Sequence, residues 1–143
     1  MAVDVGKRET CQRTGGKYVS VDILIVEDEP SILDSLDFIL SRAGWNISAV
    51  TDGDAAIIAV GELNPKVLVL DVMLPKKSGF EVLKHLRAQQ STKDLPVLML
   101  TAKGQQQDRR IAEELGANGF VTKPYSNSEV VEAVRQLMEQ AAA

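Results

Sequence analysis

The residue with the clearest chemical potential is an aspartate at the end of a short apolar run. Residues 67–70 are four consecutive aliphatics, and Asp71 follows them directly. Such a run is typical of a strand buried on both faces, as in a parallel sheet. Ligands of open α/β sheets bind at the carboxyl ends of the strands, so Asp71 is a candidate reactive acid. A lone aspartate in that place more often caps the following helix, so the assignment depends on which other groups reach the same edge.

Three other predicted strands end in groups that could act together with Asp71. They are Glu27 and Asp28 after residues 21–26, Thr101 after residues 97–100, and Lys123 after residues 119–122. Clustered carboxylates repel one another unless a cation is bound or their pKa values rise. A small set of hard oxygen ligands suits Mg²⁺, which keeps several of its waters. With an ammonium and a hydroxyl added, the set predicts a phosphoryl-transfer site in which Asp71 accepts the group as an acyl phosphate.

Five strand–helix repeats must position these groups. The predicted strands cover residues 21–26, 45–50, 67–70, 97–100 and 119–122. The first helix shows the helical pattern best, because it starts at Pro30, keeps apolar residues at helical spacing as far as Ala43, and stops before Gly44. Connections of this length predict an α/β fold with a parallel sheet and helices on both of its faces.

The length and composition indicate one ordinary folded domain. The chain has 143 residues, of which 45% are hydrophobic and 25% are charged, and its formal net charge is -4. The negative charge argues against direct nucleic-acid binding, and no segment has the pattern of a membrane span or a signal peptide, so we expect a cytoplasmic protein. Cys11 alone cannot form an internal disulfide. We predict a flexible N-terminal arm over residues 1–20, a folded domain over 21–140 and a short tail over 141–143.

On these residues the chain resembles the response-regulator receiver domains of two-component signal transduction. The resemblance covers residues 21–140 and rests on four motifs. They are Glu27-Asp28, Asp71-Val72-Met73-Leu74-Pro75 with Ser78-Gly79, Thr101-Ala102, and Lys123-Pro124. Each motif alone is weak, but all four in this order on five strand–helix repeats are specific. The resemblance implies a flavodoxin-like, doubly wound (βα)5 fold with a five-stranded parallel sheet of order 2-1-3-4-5.

The resemblance also implies how the acidic residues divide their roles. Asp71 would be the phosphoacceptor, and Asp28 and Asp71 would bind Mg²⁺ through their carboxylates. Met73 would contribute its main-chain carbonyl, and Glu27 would act through a water molecule. The family often has two aspartates in the first acidic motif, so Glu27 is a departure that affects only this water-mediated role.

The remaining site residues would bind the phosphate and report its presence. The resemblance implies that the hydroxyl of Thr101 and the amide of Ala102 hold phosphate oxygens. Lys123 would pair first with the acceptor and then with the phosphate. Phe120, three residues before that lysine, matches the switch aromatic of the family, although taken alone it would be a core residue. Movement of Thr101 toward the phosphate would let Phe120 turn inward and shift an equilibrium between two surfaces.

The resemblance implies protein partners on both sides of the reaction. The donor would be a sensor histidine kinase or a histidine phosphotransfer protein, and the output would pass through the fourth helix, fifth strand and fifth helix. Because the chain ends with the last predicted helix, we expect its output to pass through protein contact. A second copy of the chain is one possible partner. We expect phosphorylation and dephosphorylation of the chain itself and no turnover of an external product. Met73 and Lys103 flank the site and offer no acid or amide to orient an attacking water, so we expect slow self-dephosphorylation.

Three other classes of protein compete with this interpretation. A haloacid-dehalogenase-type phosphatase also uses a strand-end aspartate, but it needs a second acid where Met73 stands. A flavodoxin-like flavin binder needs a hydroxyl- and glycine-rich loop after the first strand, whereas residues 27–29 are all acidic. A receiver-like interaction module that is never phosphorylated is the strongest competitor, and the complete acid set argues against it.

Overall fold

The computed structural model describes residues 20–101 and 106–142, together with two short strands near the N-terminus. These strands, Arg13–Thr14 and Lys17–Tyr18, form an antiparallel pair. The sequence pattern predicted no strand in this arm, so the pair is a departure from the prediction. The rest of the predicted arm over residues 1–20 lies outside the described residues, apart from Ser20.

The centre of the fold is a sheet of five parallel strands. The strands are β1 (Ile23–Val26), β2 (Ile47–Val50), β3 (Val67–Asp71), β4 (Val97–Thr101) and β5 (Gly119–Thr122). Their order is β2-β1-β3-β4-β5, which confirms the predicted doubly wound topology. Strands β1 and β2 each begin two residues later than predicted, where the carboxylate of Asp22 accepts a hydrogen bond of 2.9 Å from the backbone N–H of Asn46.

Five helices connect the strands and cover the sheet. They are α1 (Pro30–Arg42), α2 (Gly53–Leu63), α3 (Gly79–Arg87), α4 (Gln106–Leu115) and α5 (Asn127–Ala142). Pro30 opens α1 as predicted, and Gly44 beyond its end has a φ of 104°, which a residue with a Cβ rarely adopts. The side chain of Asp52 caps α2 through the N–H of Ala55, and Ser78 and Glu81 form a reciprocal capping box on α3.

The sheet separates two apolar layers, which explains the unbroken hydrophobic run of β3. Leu68 and Leu70 pack in the layer beneath α2, α3 and α4, whereas Val67 and Val69 pack in the layer beneath α1 and α5. All four side chains are completely buried. Because both faces of β3 are covered, its only contact with solvent is at its ends, and Asp71 lies at one of them.

Candidate functional site

The structure brings the carboxyl ends of β1, β3 and β5 together around one lysine. The amine Nζ of Lys123 donates to Asp71 Oδ1 at 3.1 Å and lies 3.5 Å from Glu27 Oε1. The whole residues Glu27 and Asp71 are only 1% and 4% exposed. These three residues were predicted to meet from strand-end positions alone, and they do.

The register of the sheet explains why these groups meet. Val26 pairs with Leu70, so the residues that follow β1 lie beside the end of β3. On the other side Thr101 pairs with Thr122, and the backbone N–H of Lys123 donates to the carbonyl of Thr101 at 2.8 Å. The lysine is therefore fixed by its main chain to the end of β4 while its amine reaches across to the acids.

A glycine sets the backbone position of the candidate acceptor. The N–H of Gly79 at the start of α3 donates to the carbonyl of Val72 at 2.9 Å. A Cβ on Gly79 would overlap the carbonyl oxygen of Asp71 and approach Val72 Cα to 2.9 Å. Real Cβ atoms do not come this close to backbone, so only glycine allows α3 to begin directly behind Asp71.

The loop between β3 and α3 is also attached to the start of α2, which the sequence analysis did not foresee. The backbone N–H of Gly53 donates to the carbonyl of Pro75 at 3.3 Å. Two ion pairs accompany this bond, Lys76 with Asp52 at 4.0 Å and Lys77 with Asp54 at 3.8 Å. These attachments constrain the loop that carries Met73, a residue that is 74% exposed.

The electrostatics of the site follow from burial and from the central lysine. Burial raises the pKa of Glu27 above its ordinary 4.5, and the charge of Asp71 adds to this, although the N–H of Glu29 opposes it. Burial disfavours the charged form of Lys123, but its hydrogen bond to Asp71 and the charges of both acids outweigh that penalty and raise its pKa above 10.5. Burial likewise raises the pKa of the Tyr125 hydroxyl. Because its pKa is raised above 10.5, Lys123 is cationic at neutral pH.

The acidic residues form a set that could hold a metal ion. One carboxylate oxygen from each of Glu27, Asp28 and Asp71 can be chosen so that all three lie within 4.8 Å of one another. Asp28 is exposed, whereas the other two are buried, so the set faces solvent on one side. Three hard oxygen donors with an open side fit Mg²⁺, which prefers to retain water ligands.

Of the remaining predicted site residues, the structure describes Thr101 and Phe120. Thr101 ends β4 and is 3% exposed, next to the backbone of Lys123. Ala102 lies outside the described residues. Phe120 is half-buried in β5, and the guanidinium carbon of Arg109 on α4 lies 4.8 Å from the centre of its ring. The spacing of the sequence predicted a free partner face over residues 105–110 and did not predict this contact, because nothing in it shows which strand residue α4 will cover.

Comparison with known proteins gives the family of this chain. The family model of the response regulator receiver domain matches residues 23–135, so the chain belongs to the receiver-domain family of two-component response regulators. Among the helices of the described residues, none is long and apolar enough to cross a membrane.

Two curated relatives and one solved structure illustrate the similarity. The chain is 42% identical over 118 residues to the sensory transduction protein RegX3 of Mycobacterium tuberculosis, covering 82% of this chain and 51% of RegX3. It is 39% identical over 118 residues to the phosphate regulon transcriptional regulatory protein PhoB of Escherichia coli, covering 82% of this chain and 52% of PhoB. The chain thus spans about half the length of these relatives.

The solved structure is the receiver domain of the sensor histidine kinase PA1611 from Pseudomonas aeruginosa, which has a magnesium ion coordinated in its active-site cleft. It superimposes with a TM-score of 0.78 at 26% identity, covering 85% of this chain and 99% of that domain.

Proposed function

We propose that this domain accepts a phosphoryl group on Asp71, in the presence of Mg²⁺, from a histidine kinase or a histidine phosphotransfer protein in the cytoplasm. The observation that carries the proposal is the amine of Lys123, which lies within 3.5 Å of two almost fully buried carboxylates. Burying two acids beside one ammonium is costly for a purely structural feature. The domain acts as a stoichiometric acceptor in signalling and not as a turnover enzyme.

In this reaction the bond between phosphorus and the donor nitrogen breaks, and a bond to a carboxylate oxygen of Asp71 forms. Lys123 holds Oδ1 of Asp71, so we assign Oδ2 as the attacking oxygen. The ammonium then neutralises part of the charge that the phosphoryl group brings. Thr101, at the end of the neighbouring strand, is the assigned hydroxyl donor to a phosphate oxygen, and Ala102 is the assigned amide donor.

Magnesium fits the acidic side of the site. Glu27, Asp28 and Asp71 offer oxygens within 4.8 Å of one another. Asp28, Asp71 and the main-chain carbonyl of Met73 are the assigned direct ligands, and Glu27 is assigned to act through a water molecule. The ion, when bound, screens the acids from one another and neutralises charge on the transferring phosphoryl group. The magnesium found in the related PA1611 domain supports the same assignment here.

The output surface proposed for this domain is formed by α4, β5 and α5. β5 is an edge strand of the sheet, and the groove between it and α5 is lined by Phe120, Thr122, Glu129, Glu132 and Gln136 among others. Phosphorylation would change this surface through Thr101 and Phe120. The partner is a protein target, for which a second copy of this chain is one candidate. The name of PhoB describes it as a transcriptional regulatory protein, and that activity is a property of the longer PhoB chain.

Intact mass spectrometry after incubation with acetyl phosphate and Mg²⁺ tests the proposed function. We expect the parent to gain the mass of one phosphoryl group, and we expect no gain when EDTA replaces Mg²⁺. Asp71→Asn should abolish the gain, whereas Asp34→Asn, at an exposed aspartate of α1, should keep it. A phosphoryl adduct on Asp71→Asn, or no adduct on the parent, contradicts the proposal.

A further inference from the structure

Arg109 on α4 covers the aromatic ring of Phe120 on β5. The distance of 4.8 Å from its guanidinium carbon to the ring centre lies well within the range of an attractive cation–π contact. Arg109 is exposed and Phe120 is half-buried, so the contact lies at the surface edge between helix and strand. We propose that Arg109 is a positioning residue that holds Phe120 in the present conformation and thereby restrains the switch.

The contact joins the helix that follows Thr101 to the strand that leads to Lys123. α4 begins at Gln106, soon after Thr101, and Phe120 precedes Lys123 by three residues. The two strands concerned are in register, because Met99 pairs with Phe120. A shift of α4 relative to β5 therefore changes the distance between Arg109 and the ring of Phe120.

The apolar attachment of α4 to the sheet is small. Within the described helix only Ala112 is fully buried, and it offers a single methyl group. Leu115 packs partly against the layer that also receives Phe120. The helix packs mainly against α3 and β4, so the contact of Arg109 with Phe120 is a separate link from its first turn to β5.

The direction of the effect follows from linkage and rests on the proposed function. If phosphorylation of Asp71 favours a conformation in which the ring of Phe120 turns away from Arg109, the contact stabilises only the unphosphorylated conformation described here. Its removal then shifts the equilibrium toward the phosphoryl-binding conformation. An exposed cation–π contact corresponds to roughly a two- to fivefold change in such an equilibrium.

Titration with beryllofluoride, a phosphoryl analogue, in the presence of Mg²⁺ measures this shift. We expect Arg109→Ala to bind beryllofluoride about two- to fivefold more tightly than the parent. Arg110→Ala is the matched control, since it removes the same charge from the next position of the same helix. Loss of a nearby positive charge alone would weaken beryllofluoride binding, whereas loss of the restraint on Phe120 would strengthen it. The two explanations therefore predict opposite changes in affinity.

A double-mutant cycle assigns the effect to the ring. In a Phe120→Leu background, Arg109→Ala should no longer tighten beryllofluoride binding. The chain has three phenylalanines, so fluorophenylalanine labelling gives three ¹⁹F resonances, and Phe120→Leu identifies the one of interest. Arg109→Ala should move that resonance toward its beryllofluoride-bound position before any ligand is added, and Arg110→Ala should not.

Equal affinities of Arg109→Ala and Arg110→Ala, or an unshifted Phe120 resonance, would overturn the restraint. The proposed phosphoacceptor function would survive that result, because the parent would still bind beryllofluoride in a manner dependent on Mg²⁺ and Asp71. Failure of the parent to bind, or equal binding by Asp71→Asn, would instead remove the proposed function itself.

Discussion

Replacing Lys123 by methionine tests how the site tolerates its buried acids. Methionine keeps most of the side-chain volume and removes the charge, so Glu27 and Asp71 remain buried without their common partner. The two contacts, at 3.1 and 3.5 Å, each correspond to about 5 kcal/mol of Coulomb attraction at an effective dielectric constant of about 20. Desolvation of the three groups cancels much of this attraction.

The measured loss should therefore be smaller than the Coulomb sum. Removing one partner of a buried pair costs about 3–5 kcal/mol, and the side chain of Lys123 is 26% exposed, so we expect about 3 kcal/mol. For a domain of this size that loss lowers Tm by about 10 °C. Mg²⁺ can supply the missing positive charge, so it should raise the Tm of Lys123→Met more than that of the parent.

Thermal unfolding in EDTA and in Mg²⁺ provides the assay, with Lys66→Met as the matched control. Lys66 pairs with Asp22 at 3.5 Å, but its side chain is 59% exposed, so its loss should cost under about 1 kcal/mol. If Lys123→Met unfolds at the same temperature as Lys66→Met in EDTA, the central role of the lysine is refuted. A smaller effect of Mg²⁺ on Lys123→Met than on the parent would refute the shared-charge reasoning.

Four further outcomes follow from single features of the molecule. Gly79→Ala should lower the free energy of unfolding by about 1–3 kcal/mol in urea and reduce the phosphoryl yield, because its Cβ overlaps the backbone of the acceptor. Ser48→Ala should raise the unfolding free energy by about 1 kcal/mol, since the buried hydroxyl has no hydrogen-bond partner among the described residues; a loss would contradict this. Met73→Asn should shorten the lifetime of the acyl phosphate, because an exposed amide beside the site can orient water; an unchanged half-life would count against it. The pKa of Glu27 is higher in the folded state than in the unfolded chain, so in EDTA the contribution of this carboxyl to stability is full below about pH 4.5 and declines as pH rises through the raised pKa. Glu27→Gln should remove this decline when the free energy of unfolding in urea is measured against pH.

The sequence was sufficient to predict the sheet and the meeting of the charged groups. Strand-end positions are local signals, and the parallel order then carries Glu27, Asp71 and Lys123 to one edge without further information. The early residues were less predictable, as the short strand pair at Arg13–Thr14 and Lys17–Tyr18 shows. Two-residue strands have no periodicity that a sequence pattern could reveal.

Contacts between elements that are distant in the sequence could not be predicted. The ring of Phe120 lies under Arg109 because of where α4 lies relative to β5, and no spacing of residues in the sequence predicts that placement. The same holds for Gly53, whose missing side chain leaves room for the backbone of Lys77. Gly53 and Gly79 are both visible in the sequence, but the backbone atoms that a side chain at each position would overlap are known only from the fold.

The chain positions of the charged triad have a consequence for biosynthesis. Glu27 and Lys123 are 96 residues apart in sequence, and the lysine reaches the acids only when the last strand has joined the sheet. A nascent or truncated chain that lacks this strand therefore has Glu27 and Asp71 without the ammonium that the complete fold places beside them. Under the proposed function, the positive charge that assists phosphoryl transfer is therefore in place only after the last strand has folded.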